Sequence, residues 1–270
     1  MTVDPQRTAF LRELTTRHDG LLVWKHLDRA LRGMGDIDAA AVAADIDRIH
    51  ADARSIGART LGATHAITCD HVADKRLQFF VQPHRLPQLF EFDVTTQPSR
   101  GLAPWARPHV LLQFAAIRED GIRNIRQGAE AIVSLVYHGL SASGRFRLAG
   151  DEESIVRRGL DEDLSCAMDA AAAFAPVAAR HALVRLVAAA SRRSWNERDA
   201  ALAYFGFCAS AVVNPRFSTQ RTLFRARLST GRECSMSKLA RIAGRKVPAA
   251  DIGAFLDAVG RDGHRVTTLA

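Results

Sequence analysis

In the stretch "RGMGDIDAAA" two aspartates, Asp36 and Asp38, stand one residue apart behind the glycines Gly33 and Gly35. On a strand, residues i and i+2 point to the same face, so these carboxylates project side by side while Ile37 turns into the core. Like charges so placed repel unless a cation or water separates them. Taken alone, the pair also fits an ordinary surface strand with two acids. A third carboxylate changes that reading. In "LFEFDVTT" the alternation is clean: Phe90, Phe92 and Val94 point one way, and Glu91, Asp93 and Thr95 the other. Asp36, Asp38 and Asp93 on neighbouring strands would form an all-oxygen donor set. Such a set suits hard dications, Mg²⁺ first and Mn²⁺ as the alternative. Two such ions can activate an attacking hydroxyl and stabilise a leaving phosphate oxygen.

A second triplet of the same composition, Asp45-Ile46-Asp47 in "AADIDRIH", reads differently. Its surroundings repeat apolar residues at spacings of three and four (Val42, Ile46, Ile49, Ala53, Ile56), which is a helical period, with Gly57 as the expected stop. On a helix, i and i+2 lie about 200° apart, so Asp45 and Asp47 cannot chelate one ion together. They are read as a solvated face.

Basic residues near the acids could serve phosphate. Lys75 and Arg76 open the strand "KRLQFFVQ", one strand before Asp93. A basic group there would neutralise phosphate charge; which of the two faces the acids depends on register. Arg100, with Trp105 and Arg107, would make a basic and aromatic lip over a base, or simply a packed connection. The histidines show no HxxxH or HExxH spacing, so no zinc site is expected, and His138 reads as structural. There is no P-loop and no GxGxxG.

The elements that must position these residues follow from pattern. Strands are expected at 21–24, 36–41, 64–70, 76–82 and 89–96, around the helix just described. From about 150 the chain turns alanine- and arginine-rich and helical, with a break at Pro176 and further helices at 196–213, 217–228, 235–243 and 249–259. The last of these could pair as a helix-turn-helix or close as a plain helical hairpin. The expected organisation is therefore α+β: a mixed sheet with flanking helices over 1–148, then a mainly helical, Arg-rich domain over 149–270.

Composition narrows the setting. With 47% hydrophobic residues in 270, the chain can bury a sizeable core. No apolar run is long enough to span a membrane, and the start does not read as a secretory signal. The four cysteines, Cys69, Cys166, Cys208 and Cys234, are scattered and read as reduced thiols of a cytoplasmic protein. Only four of the 37 basic residues are lysines, an arginine bias expected of a GC-rich genome. The net charge of +8 is a separate matter and favours an anionic partner, a nucleotide or a nucleic acid.

The order of apolar strand, Gly-Asp-Ile-Asp, helix, hairpin and hydrophobic–acid–hydrophobic strand resembles the nucleotidyltransferase superfamily, over roughly residues 10–140. The resemblance implies a DNA polymerase β-like core in which Asp36 and Asp38 match the metal-binding pair and Asp93 the third carboxylate. Two Mg²⁺ ions would then hold an NTP. Lys75 matches a catalytic basic residue on the strand before the third acid, as in the smaller bacterial members that modify tRNA, with Arg76 as the alternate. The family usually carries Gly-Ser where this chain has Trp24-Lys25-His26. Either Lys25 replaces a neutral phosphate contact with a charged one, or triphosphate binding is altered or lost. The implied activity is nucleotidyl transfer to an acceptor, RNA (tRNA by analogy) ahead of DNA, by a toxin-like enzyme with an antitoxin partner. Transfer to a protein or small molecule is the enzymatic alternative, and a non-catalytic nucleic-acid-binding relative is the other.

Overall fold

The computed structural model describes residues 2–71, 75–83, 89–100, 103–104, 106–212, 252–261 and 264–270. The expected helices at 217–228 and 235–243 lie outside the described residues, as do Trp105 and most of the stretch that would form a helix-turn-helix.

The fold is α+β, built on a mixed eight-stranded sheet with ten α-helices among the described residues. Helix α1 (Pro5–Arg17) starts on a capping Asp4, whose Oδ1 accepts from the Gln6 N–H at 2.9 Å, with Pro5 in the first turn. Strand β1 (Leu21–Lys25), short helix α2 (Leu27–Leu31) and strand β2 (Ile37–Ala41) follow, then helix α3 (Ile46–Leu61). The next strands are β3 (His65–His71), β4 (Lys75–Val81) and β5 (Phe90–Thr95), with a two-stranded ribbon of β6 (Ser99–Arg100) and β7 (Ala103–Pro104). Helix α4 (Pro108–Leu112) leads to β8 (Ala115–Ile117), β9 (Arg123–Ile125), helix α5 (Gln127–Ser134) and a π-helical turn at Leu135–Gly139. Helices α6 (Gly150–Glu162), α7 (Leu164–Phe174), α8 (Val177–Ala190) and α9 (Glu197–Val212) come next, and then α10 (Ile252–Arg261) and β10 (Arg265–Thr268). The break between α7 and α8 falls at Pro176, which lacks the N–H to continue the ladder.

Sheet order is β10-β3-β4-β5-β2-β1-β9-β8; β2 runs parallel to β5 and β1 to β9, the other pairs being antiparallel. The chain's end thus returns to the sheet, Arg265 to Thr268 pairing along β3.

The two faces of the sheet are filled differently. One face packs against α1 and α3. There Phe10 lies edge-to-face on Phe80, Phe90 and Phe92 with ring centroids 5.4, 5.3 and 5.5 Å apart, and Ile37, Ala39 and Val94 join the same cluster. Each such aromatic pair adds about 0.5–1.5 kcal/mol beyond the area it buries. The opposite face carries two separate clusters. At the β1 end, Leu22, Trp24 and Ala40 pack with α5 to α9, in a cluster that also holds Leu148 and so spans the sequence boundary near 148. At the β3–β4 end, Ile67, Cys69, Leu77, Phe79 and Val81 pack with Phe255 and Val259 of α10.

Two local expectations are corrected. Helix α3 does not stop at Gly57 but runs to Leu61, with Gly62 (φ 61°) as its left-handed cap. Gly57 is a contact glycine: a Cβ there would stand 2.6 Å from the buried Phe80 ring. Cys69 is disulfide-bonded rather than a reduced thiol; its partner lies outside the described residues. Neither the long-range pairing nor the ring contact leaves a trace in local spacing. Among the described residues no helix is long and apolar enough to cross a membrane.

Candidate metal centre

The acids meet on the second face, at strand positions between its two apolar clusters. β2 and β5 pair in parallel with Asp38 opposite Asp93, so alternation sends both carboxylates to one side while Ile37, Phe92 and Val94 enter the core behind them. Asp36 precedes β2 by one residue, after a turn in which Gly33 (φ 77°) and Gly35 (φ 106°) adopt conformations that strain other residues. One carboxylate oxygen from each of Asp36, Asp38 and Asp93 lies within 4.8 Å of the others. Asp38 and Asp93 are 4% and 2% exposed, which makes their mutual approach costly without a cation.

Lys25 supplies part of that charge. The register of β1 against β2 shifts between Val23 and Lys25: Val23 pairs with Ala39 and Lys25 with Asp38, leaving Trp24 as a bulge. Lys25 Nζ stands 3.0 Å from Asp38 Oδ1 and 5.3 Å from the ring centroids of both Trp24 and Tyr137.

Lys25 is followed by an unusual backbone. His26 sits in the left-handed region (φ 56°, ψ 27°), which non-glycine residues adopt uncommonly. Its backbone N–H donates to Glu130 Oε1 of α5 at 2.9 Å. Burial pushes the Glu130 carboxyl up from its ordinary value, against the pull of that hydrogen bond. Burial likewise holds the His26 imidazole below its ordinary value, with Glu152 opposing. A cleft of about 390 Å³ opens beside His26, lined by Arg29, Arg32 and Arg158 together with the acids Asp28, Glu130 and Asp151.

The structure thus brings together Asp36, Asp38, Asp93 and Lys25. It does not bring Arg76 to them. Arg76 pairs with Val94, a core position on the α1–α3 face, and its guanidinium is hydrogen-bonded to Asp47 of α3. The register left open by the sequence therefore resolves against it. The backbone of Lys75 pairs with Thr95, two residues past Asp93, and that of Arg100 with Ala103; the side chains of both lie outside the described residues.

Sequence reasoning missed two groups. Arg29 of α2 and Arg32 at its cap, three apart in "LDRALR", share the cleft with Arg158; their spacing was a readable signal. His26, His138 and Glu152 also converge, with potential ligand atoms within 4.8 Å of one another. That set has no sequence signature, because its members are scattered over three elements. Compared with known proteins, the chain matches no family model, no curated protein and no solved structure.

Proposed function

We propose that the chain is a metal-dependent nucleotidyltransferase of the DNA polymerase β-like kind. It would move a nucleotidyl group from an NTP to an acceptor, RNA such as tRNA ahead of a protein or small molecule. The observation that carries this reading is the convergence of Asp36, Asp38 and Asp93 where β2 begins beside β5, two of the three being buried. The donor set is all oxygen, which fits Mg²⁺ or Mn²⁺. Three carboxylates against the Lys25 ammonium leave a formal charge of −2, which one dication balances. A second ion would then arrive with the negative charge of the triphosphate.

In the reaction, the acceptor hydroxyl gives its proton to water, its oxygen bonds to the α-phosphorus as the bond from that phosphorus to the α–β bridging oxygen breaks, and pyrophosphate leaves with that oxygen. The dications, when bound, supply Lewis-acid polarisation of phosphate and acceptor oxygens. The aspartates orient and hold charge, Lys25 offsets Asp38, and in the adjoining cleft Arg32 offers a phosphate contact, with Arg158 paired to Asp28 and Arg29 bonded to the Met34 carbonyl. The net charge of +8 supports a polyanionic acceptor, and a toxin with an antitoxin partner is the biology that analogy adds.

One observation favours a second reading. Lys25 Nζ, at 3.0 Å from Asp38 Oδ1, takes up an oxygen that a dication would use, and it stands where the family has a neutral Gly-Ser. In that reading the molecule binds nucleic acid without turnover. Purified protein incubated with labelled NTPs, Mg²⁺ and total RNA separates the two. Label transferred by the wild type and lost in Asp38→Ala supports the enzyme. RNA retarded on a gel without transfer, in the wild type and in Lys25→Met alike, supports the binding module. If Asp38→Ala and Asp93→Ala match the wild type in both assays, the carboxylate centre has no role in either.

A further inference from the structure

The second convergent set lies one residue beyond Lys25 and uses different chemistry. His26 comes from the junction of β1 and α2, His138 from the π-helical turn at 135–139, and Glu152 from the first turn of α6. Glu152 Oε1 stands 3.7 Å from His26 Nε2 and also 3.7 Å from His138 Nε2. These separations are too long for hydrogen bonds. They are close to the spacing of two atoms bound to one small cation: ligands about 2.1 Å from a tetrahedral zinc ion stand about 3.4 Å apart. The two imidazole nitrogens and the carboxylate oxygen all lie within 4.8 Å of one another, so the set closes on an ion by side-chain adjustment alone.

Three further observations point the same way. Glu152 Oε2 is buried and has no hydrogen-bond partner among the described residues, so the carboxylate is held there only by the long ion pairs of its other oxygen with the two imidazoles. The two histidine rings approach to 5.8 Å between centroids, with both Nε2 atoms turned to one carboxylate oxygen. Two of the three ligands also sit on uncommon backbone, His26 in the left-handed region and His138 in a π-helix. Strained and π-helical backbone concentrates at functional sites, and here two such segments present side chains to one point. The Glu130 carboxylate, accepting the His26 N–H, fixes the first of them.

We propose that His26, His138 and Glu152 bind one transition-metal dication of the zinc class. The site is distinct from the oxygen-only centre formed by Asp36, Asp38 and Asp93. Two imidazoles and one carboxylate select Zn²⁺ over Mg²⁺ by ligand softness. Three protein ligands leave the fourth position of a tetrahedral ion for water or a substrate oxygen, the pattern of catalytic rather than closed structural sites. Access to it is provided by His138, whose side chain is 42% exposed. The proposal does not depend on nucleotidyl transfer, and either can fail alone.

The test titrates metal-free full-length protein with Zn²⁺, and with Co²⁺ as a visible reporter, in the presence of excess Mg²⁺. The wild type is expected to take up one Zn²⁺ that Mg²⁺ does not displace, and its Co²⁺ form to show the intense d–d bands of a low-coordinate nitrogen-ligated ion. His138→Ala and Glu152→Gln should each weaken Zn²⁺ binding by about 100-fold or more and remove those bands. Asp36→Asn and Asp93→Asn should leave both unchanged. His138 is half exposed, so its removal does not open the core, and matching circular dichroism in chelator verifies the fold of each variant. The proposal is overturned if the wild type takes up no Zn²⁺ under Mg²⁺, if His138→Ala and Glu152→Gln bind it as tightly as the wild type, or if the aspartate variants lose it equally.

Discussion

Asp36-Ile37-Asp38 and Asp45-Ile46-Asp47 are the same three residues nine positions apart, and the fold uses them in opposite ways. In the first, Asp38 is 4% exposed and faces Asp93 and Lys25, while Ile37 is fully buried. In the second, the Asp47 side chain is 84% exposed and bound to Arg76, Asp45 pairs with Arg48, and Ile46 is only partly buried. The residue types do not distinguish the two sites. The period of the element does: a strand aligns both acids on one side, and a helix turns them apart. What precedes each triplet fixes the element. A Gly-x-Gly turn with two positive φ values feeds β2, whereas a single 3₁₀ turn at Ala43–Asp45 leads straight into α3.

Substitutions at matched positions would break or sharpen this contrast. On the proposed function, the largest effect is expected at the buried acid of the first triplet. Asp38→Ala should lower label transfer from NTP by about 100-fold or more, since even an outer partner of a metal ligand is worth 10–100-fold. Next come the central isoleucines. Ile37→Ala should cost about 2–5 kcal/mol of stability, read as a shift in the urea midpoint at constant slope, and Ile46→Ala clearly less. Equal losses would mean that the two triplets share one environment. The helix carrying the second triplet docks through Gly57. Gly57→Ala should gain about 1 kcal/mol from helix propensity but lose about 1–3 kcal/mol by driving a methyl into Phe80. The clash wins because the ring is fully buried, so thermal unfolding should move down.

A smaller effect concerns Glu130, which accepts the backbone N–H of His26. Its folded carboxyl titrates above the ordinary glutamate range, so on raising the pH the unfolded chain loses its proton first. Stability therefore falls as pH rises from that range through the folded value. Glu130→Gln keeps an acceptor for the His26 N–H and cannot ionise, so its stability should fall less over the same window in denaturant titrations at stepped pH. The smallest effect is at the other triplet: Asp47→Ala should leave transfer unchanged and the unfolding midpoint where it was. A loss of activity there would break the comparison outright.

How much of this was readable in advance follows the same physics. Strands β1 to β5 were legible within a residue or two because alternation reports a two-sided environment, and Asp93 stood out as an acid among aromatics. Register was not legible. It takes pairing across the sheet to show that Arg76 belongs to the α1–α3 face and that Lys25 lies opposite Asp38. Glycine was ambiguous for a stated reason: Gly57 and Gly62 carry the same signal, one serving close contact and the other a left-handed cap. His26, His138 and Glu152 were invisible, since proximity across more than a hundred residues has no local period.

The bulge at Trp24 has a consequence for how the centre could be edited. A regular ladder offers one seat opposite Asp38, to be filled either by an aromatic plate or by a cation. The extra residue in β1 seats both, with the ammonium of Lys25 set beside the Trp24 ring. Removing Trp24 would restore the regular count and still leave the lysine opposite Asp38, because the downstream pairing begins at that lysine. A one-residue deletion thus removes the indole and keeps the charge, the complement of Lys25→Met, with Tyr137 still 5.3 Å from the ammonium.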